Sequence, residues 1–141
     1  MLLVRRPPHD KEFPKLWGLP AASCHVTESK ESAAHRIGSE KLGVPILLGL
    51  PIGQRMQQRA TYTLQMILCE ARLEGNEPVL PAIFSPVSMT MYDAWKWDTP
   101  SSLEYSASQG SLCSQILIEN TNFQSSLRFS KSEPRDKLNS P

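Results

Sequence analysis

Apolar and polar positions follow several distinct periods along the 141 residues, and each period predicts an element. Leu2, Leu3 and Val4 form a short apolar run closed by Arg5 and Arg6, which predicts a strand from Met1 to Arg6. Pro7, Pro8 and Pro14 then make a loop that runs into Trp17 without periodicity. Farther on, Ala33, Ala34, Ile37 and Leu42 recur at spacings of three to five residues, the stripe of a helix packed on one side. Thr27 or Ser29 can accept a bond from the first free N–H groups of that helix, and Glu28 and Glu31 stand where its dipole favours negative charge. Gly43 and Pro45 stop it. Arg36 and Glu40, one turn apart, fall on another face, so one side packs and the other presents charge.

Beyond the helix, Ile46, Leu47, Leu48 and Leu50 predict a short buried strand, interrupted by Gly49, Pro51 and Gly53. From Ala60 to Leu73 a clearer strand is expected, because Tyr62, Leu64, Met66 and Leu68 alternate with Thr61, Thr63, Gln65 and Ile67. Glu74 to Pro78 reads as a turn, and Val79 to Val87 as a long irregular connection or an edge strand. Met89 to Trp97 predicts another strand, with Trp95 and Trp97 on one face. Ser101 to Asn120 predicts a helix whose seam is Leu112, Ile116 and Leu117, weakened by about 1 kcal/mol at Gly110. Residues 121–141 are too polar to repay the entropy of ordering and are expected to form a disordered tail. Residues 1–120 are then a single domain, and no internal repeat is present.

Charge excludes one class of function. With 15 Lys+Arg against 14 Asp+Glu, a net charge of +1 gives no electrostatic case for a nucleic-acid binder, so any phosphate pocket has to be local. No apolar run approaches the roughly 18 to 20 residues that span a bilayer, and Arg5 and Arg6 follow the first apolar residues in the reverse of a signal peptide. Neither membrane nor nucleic acid is an expected partner, and the cytoplasm is the default location. Cys24, Cys69 and Cys113 are far apart with no C-x-x-C pair, which predicts reduced thiols in packed positions.

The stretch from Ala22 to Val44 resembles the Nudix box, GX5EX7REUXEEXGU with U aliphatic. With the closing Gly-U pair set on Gly43 and Val44, the early glutamate falls on Glu28, the arginine on Arg36 and one closing glutamate on Glu40, without a gap. Ala22 replaces the glycine, Ile37 a glutamate, Gly38 the aliphatic residue and Lys41 the last glutamate. Leu2 to Arg6 looks like the strand before the box, and Trp17-Gly18-Leu19-Pro20 like the W-x-[FL]-P approach to it. The resemblance implies an α/β fold, a Nudix-like α/β/α sandwich with a mixed sheet, with the box helix on one face and the C-terminal helix near the other. The family carries an earlier strand, so the start of this chain is expected to be truncated, leaving a sheet edge open to pairing.

In function the resemblance implies hydrolysis of a nucleoside diphosphate linked to another moiety, with a small nucleotide-derived molecule as partner and Mg²⁺ or Mn²⁺ as cofactor. Glu28, Arg36 and Glu40 are the implied catalytic residues and Glu40 the remaining metal ligand. Hard cations want several oxygens in octahedral geometry, and Ile37 and Lys41 remove two of them, so metal binding is expected to be weak and activity reduced. A catalytically impaired module that binds a nucleotide or nucleotide sugar is the alternative. Simpler roles stay open for each residue. Arg36 and Glu40 suit a surface ion pair, and Glu28 suits a charge at a helix start. Lys41 is expected to be a solvated helix residue, or else a point charge that grips phosphate directly. Glu70, Glu74, Glu77 and Asp93 are candidates for a further acid, and Arg5, Arg6 and Arg55 for phosphate contacts.

Overall fold

The computed structural model describes residues 1–75, 77–82 and 91–121. Its organising element is β1, Leu2–Arg5, which lies in the middle of a three-stranded antiparallel sheet. On one side β1 pairs with β2, Trp17–Gly18, setting Arg5 opposite Trp17. On the other it pairs with β5, Ala94–Trp97, setting Leu2 opposite Trp97 and Arg5 opposite Ala94. Consecutive strand residues point to opposite faces, so a strand covered on both sides must be apolar at successive positions. Leu3 and Val4 meet that demand, being 0% and 1% exposed.

Each begins a separate core. Leu3 packs with Leu103 and Leu117, and around them lie Trp17, Leu19, Leu68 and Ile118. Val4 packs with Leu42 and Tyr92, and around them lie Ile37, Val44, Ile46, Leu73, Leu80 and Trp95. The first core is closed by the C-terminal helices and the second by the box helix. Two layers of helix around a sheet are the sandwich that the sequence leads one to expect.

A second, two-stranded antiparallel sheet joins both cores. It pairs β3, Ile46–Gln58, with β4, Thr63–Leu73, and its register shifts between Leu48 and Pro51 and again between Pro51 and Gly53. Leu73 at one end faces the Val4 core, and Leu68 faces the Leu3 core. The short strand expected at Ile46–Leu50 is thus a strand of 13 residues: the glycines and the proline that seemed to interrupt it sit in the irregular stretch, where an extra residue is accommodated. The strand expected from Ala60 starts at Thr63, because Arg59 to Tyr62 form the turn, closed by the Arg59 N–H donating to the Tyr62 carbonyl at 2.8 Å. All ladders among the described residues are antiparallel.

The C-terminal helix is not one rod. A 3₁₀ turn, Pro100–Leu103, leads into α2, Glu104–Ser108; the chain then breaks at Gly110, whose φ of +101° favours glycine, and restarts as α3 over residues 112–121. The expected seam survives the break, since Leu112, Ile116 and Leu117 are all buried. Ser106, also buried, ties α2 to β2 through a hydrogen bond from its hydroxyl to the Trp17 carbonyl. The expected strand from Met89 is observed as Ala94–Trp97, with Trp95 in the core and Trp97 half exposed. Met89, Thr90, most of Val79–Val87 and the tail beyond Thr121 lie outside the described residues. None of the described helices is long and apolar enough to cross a membrane.

Candidate functional site

α1, Lys30–Arg36, begins where the sequence places its cap: the Ser29 hydroxyl accepts the Ser32 N–H at 3.1 Å. Thr27, the other candidate, instead holds a left-handed φ of 72° in the approach loop. Ala33 and Ala34 are the buried face. After Arg36 the helix changes character. Ile37–Leu42 is π-helical, with i→i+5 bonding, and the N–H groups of both Gly43 and Val44 reach back to the Gly38 carbonyl. Gly43, at φ 68°, ends it as its sequence position predicts.

Gly38, Lys41 and Leu42 are the buried residues of this stretch. Gly38 is buried so closely against the next strand that a β-carbon there would stand 2.6 Å from the Val44 carbonyl oxygen. That explains why an aliphatic residue is absent from this position. Ile37 packs against the core of Val4, Leu42 and Tyr92. Lys41, expected on the solvated face, is instead 7% exposed. Its ammonium donates to the Ala21 carbonyl at 2.6 Å and lies 5.6 Å from the centre of the Tyr92 ring. Burial, reinforced by the positive charges of Arg6 and Arg36 and partly offset by Glu40, pulls its pKa down to about 8. The Tyr92 hydroxyl shares the same anchor, accepting from the Ala21 N–H at 3.0 Å. Burial pushes its pKa up to about 12.

Glu28 and Arg36 are brought together, but not with Glu40. Arg36 donates through Nε and Nη2 to the two carboxylate oxygens of Glu28, both at 2.7 Å, and through Nη2 to the Ser23 carbonyl at 2.7 Å. Glu28 also accepts the His25 N–H at 3.0 Å and the Ser32 hydroxyl at 3.3 Å. The Arg36 bond first, and the His25 N–H after it, hold the Glu28 carboxyl at about 2. The surface pair expected between Arg36 and Glu40 is therefore replaced by a fork that closes the loop onto the helix. Glu40 itself is exposed.

These donors do not fit a Mg²⁺ or Mn²⁺ ion. Both oxygens of Glu28 are spent on Arg36, Glu40 stands alone on its turn, and an ammonium follows it in the chain. Among the described residues no three His, Cys, Asp or Glu side chains converge as metal ligands. The candidates for a further acid do not complete a site either: Asp93 accepts from Arg5 Nε at 2.8 Å, and Glu70, Glu74 and Glu77 are exposed. Of the possible phosphate contacts, Arg6 bonds Asp10 at 3.2 Å and Arg55 pairs with Glu119. Cys24 is exposed, a correction to the packed position expected for it, while Cys69 and Cys113 are half buried, and all three thiols are free. Tyr92 and the Ala21 carbonyl are the parts that sequence reasoning missed, because neither stands in the box pattern.

No protein-family model matches the chain, and comparison with curated proteins finds no match. Solved structures do resemble it. A MutT protein from Methanosarcina mazei Go1 superposes with a TM-score of 0.66 at 15% identity, over 87% of this chain and 83% of that one. The E. coli ORF135 protein superposes with a TM-score of 0.65 at 16% identity, over 89% and 81%. At such identities the likeness concerns the fold, and with the two cores flanking β1 it shows that this chain is a Nudix-like α/β/α sandwich.

Proposed function

We propose that this protein is a Nudix-fold module that binds a nucleotide or another nucleotide-derived molecule without relying on a divalent metal. The observation that carries the reading is the inward placement of Ile37 and Lys41, which stand where the box resemblance calls for the glutamate after the arginine and for the last glutamate. One of those positions is filled by hydrocarbon and the other by a cation. Support for a nucleotide-derived ligand comes from the retained frame of Glu28, Arg36, Gly43 and Val44 on a Nudix-like fold, and function resides in the site rather than in the fold.

The hydrolase reading keeps one observation in its favour, the exposed carboxylate of Glu40, which has no hydrogen bond or ion pair among the described residues. In that reading Glu40 is the metal ligand and turnover is slow. A cytoplasmic setting suits both readings, with three free thiols among the described residues.

The deciding experiment follows thermal stability and hydrolysis together for a panel of nucleoside diphosphates, triphosphates and nucleotide sugars, in EDTA and in Mg²⁺ or Mn²⁺. A bound ligand at about a hundred times its dissociation constant stabilises by roughly 2.7 kcal/mol, which the assay resolves. Stabilisation in EDTA, unchanged by metal and without turnover, is the expected result. Metal-dependent turnover that disappears in Glu40→Gln restores the hydrolase reading and removes this one.

A further inference from the structure

Lys41 and Arg36 bond the loop that follows β2, Arg6 lies close enough for its charge to act on Lys41, and the three cations differ in how they are neutralised. Arg36 is forked to Glu28, and Arg6 is paired with Asp10 at 3.2 Å and Glu12 at 4.0 Å. Lys41 forms no ion pair among the described residues; its hydrogen bond goes to the neutral Ala21 carbonyl. A buried ammonium held by one carbonyl and the face of a ring keeps much of its desolvation cost, since neither partner carries a full negative charge. Arg36 makes a similar use of the loop two residues on, bonding the Ser23 carbonyl. The segment Ala21–Ser23 is thus strapped over the cations by two carbonyl oxygens, and the residues beyond it, from Ser23 to Thr27, are exposed.

From this juxtaposition we infer that Lys41, flanked by Arg6 and Arg36, forms a metal-free site for a phosphate group of the ligand, whose oxygens take the place of the Ala21 and Ser23 carbonyls. The inference rests on the binding reading above and names the part of the ligand this site holds. A phosphate carries the full negative charge that the carbonyl lacks, so exchanging one for the other turns a costly buried ammonium into a charge-assisted bond. The two arginines keep their carboxylate partners and add a second and third positive charge without disrupting the Glu28 fork. Glu40, exposed on the neighbouring position, opposes the incoming anion, as do Glu28, Asp10 and Glu12, whose charges the two arginines already offset. Tyr92 remains bonded to the Ala21 N–H and limits how far the loop can lift.

The test titrates the full chain in EDTA with sodium pyrophosphate, with ADP and with adenosine, for the parent and for Lys41→Met, which keeps the length of the side chain and removes its charge. Pyrophosphate and ADP should bind the parent and adenosine should not. Lys41→Met should weaken both by roughly ten- to a hundredfold, the scale of one lost hydrogen bond to a charged group. Amide resonances of Ala21 and Ser23 in the parent give a readout independent of the variant's folding, and both should shift on addition of pyrophosphate. Equal pyrophosphate affinity in the parent and Lys41→Met, or resonances at Ala21 and Ser23 that do not move at saturation, overturns the site. ADP binding in EDTA that is indifferent to Lys41→Met removes this site while leaving the binding module standing; no binding of any phosphate compound removes both.

Discussion

Arg36 and Glu28 form a two-bond fork, both contacts at 2.7 Å, across the turn that carries the chain from the exposed loop into α1. The fork gives Glu28 a carboxyl held at about 2, below the ordinary 4.5. A folded value below the unfolded one means that the unfolded chain binds more protons in this interval, so the stabilisation is complete above 4.5 and fades as the pH falls towards 2. Glu28→Gln should therefore melt below the parent at pH 6, and the gap in melting temperature should close progressively between pH 4.5 and 2. A gap that stays constant across that range would show that the fork contributes no pH-dependent stability.

Lys41 gives stability the same upward slope with pH for the opposite reason, because here the charged form is the unfavourable one. Its folded value of about 8 lies below the ordinary 10.5, and a cationic group that gives up its proton more readily when folded destabilises the fold while charged. Stability should rise as the pH climbs above 8, by up to roughly 3 kcal/mol if the whole interval were traversed. Tyr92 acts against it from pH 10 upward, because its folded value is raised to about 12 and the unfolded chain then ionises first. Denaturation midpoints in urea should accordingly climb between pH 8 and 10 in the parent and stay level in Lys41→Met, which should also be the more stable protein at pH 7.

How much of this was legible in the sequence depends on the range over which each signal acts. Leu2-Leu3-Val4 announces a strand buried on both faces, and Ser29 and Gly43 mark the two ends of the helical unit, because those signals are local. The inward direction of Lys41 was legible in the period and masked by its charge: it stands four residues after Ile37 and seven after Ala34, on the packed stripe, yet an ammonium is expected in solvent. The pairing of Arg36 with Glu28 instead of Glu40 was hidden, because it depends on a loop that folds back over eight residues. Gly110 was read as a cost to one helix, and the structure uses it as the break between two.

Gly43 tests the end of the π-helical stretch. Its φ of 68° already disfavours other residues, and a β-carbon there would lie 1.8 Å from the Val79 carbonyl oxygen. The same segment is tied to the helix end by the Val79 N–H, which donates to the Leu42 carbonyl at 2.8 Å. Gly43→Ala should cost at least about 2 kcal/mol in chemical denaturation, combining the left-handed strain with the displaced segment. Gly18, around which a β-carbon meets nothing within 4 Å, is the control: Gly18→Ala should change stability by less than about 1 kcal/mol.

Ile37 decides whether the box is a metal site missing a ligand or a site that has been filled. Its side chain packs with Val4, Leu42 and Tyr92, so Ile37→Glu asks a carboxylate to enter hydrocarbon next to β1. Losing the apolar contact and desolvating the acid together should cost roughly 2 to 4 kcal/mol in the absence of metal. Adding Lys41→Glu places a second acid beside the first, against the Ala21 carbonyl that now accepts from the ammonium, and should lower stability further because an acceptor would then face an acceptor. If both acids instead turned outward to join Glu40, they would make three carboxylates within a turn and bind Mg²⁺ or Mn²⁺, and metal would recover the lost stability through binding to the folded state alone. Melting the single and double variants in EDTA and in about 10 mM Mg²⁺, roughly tenfold above the dissociation constants of weak carboxylate sites, separates these cases. The expected result is destabilisation that metal does not reverse, since Ile37 and Lys41, four residues apart, both lie on the packed face of the helical unit in line with Ala34.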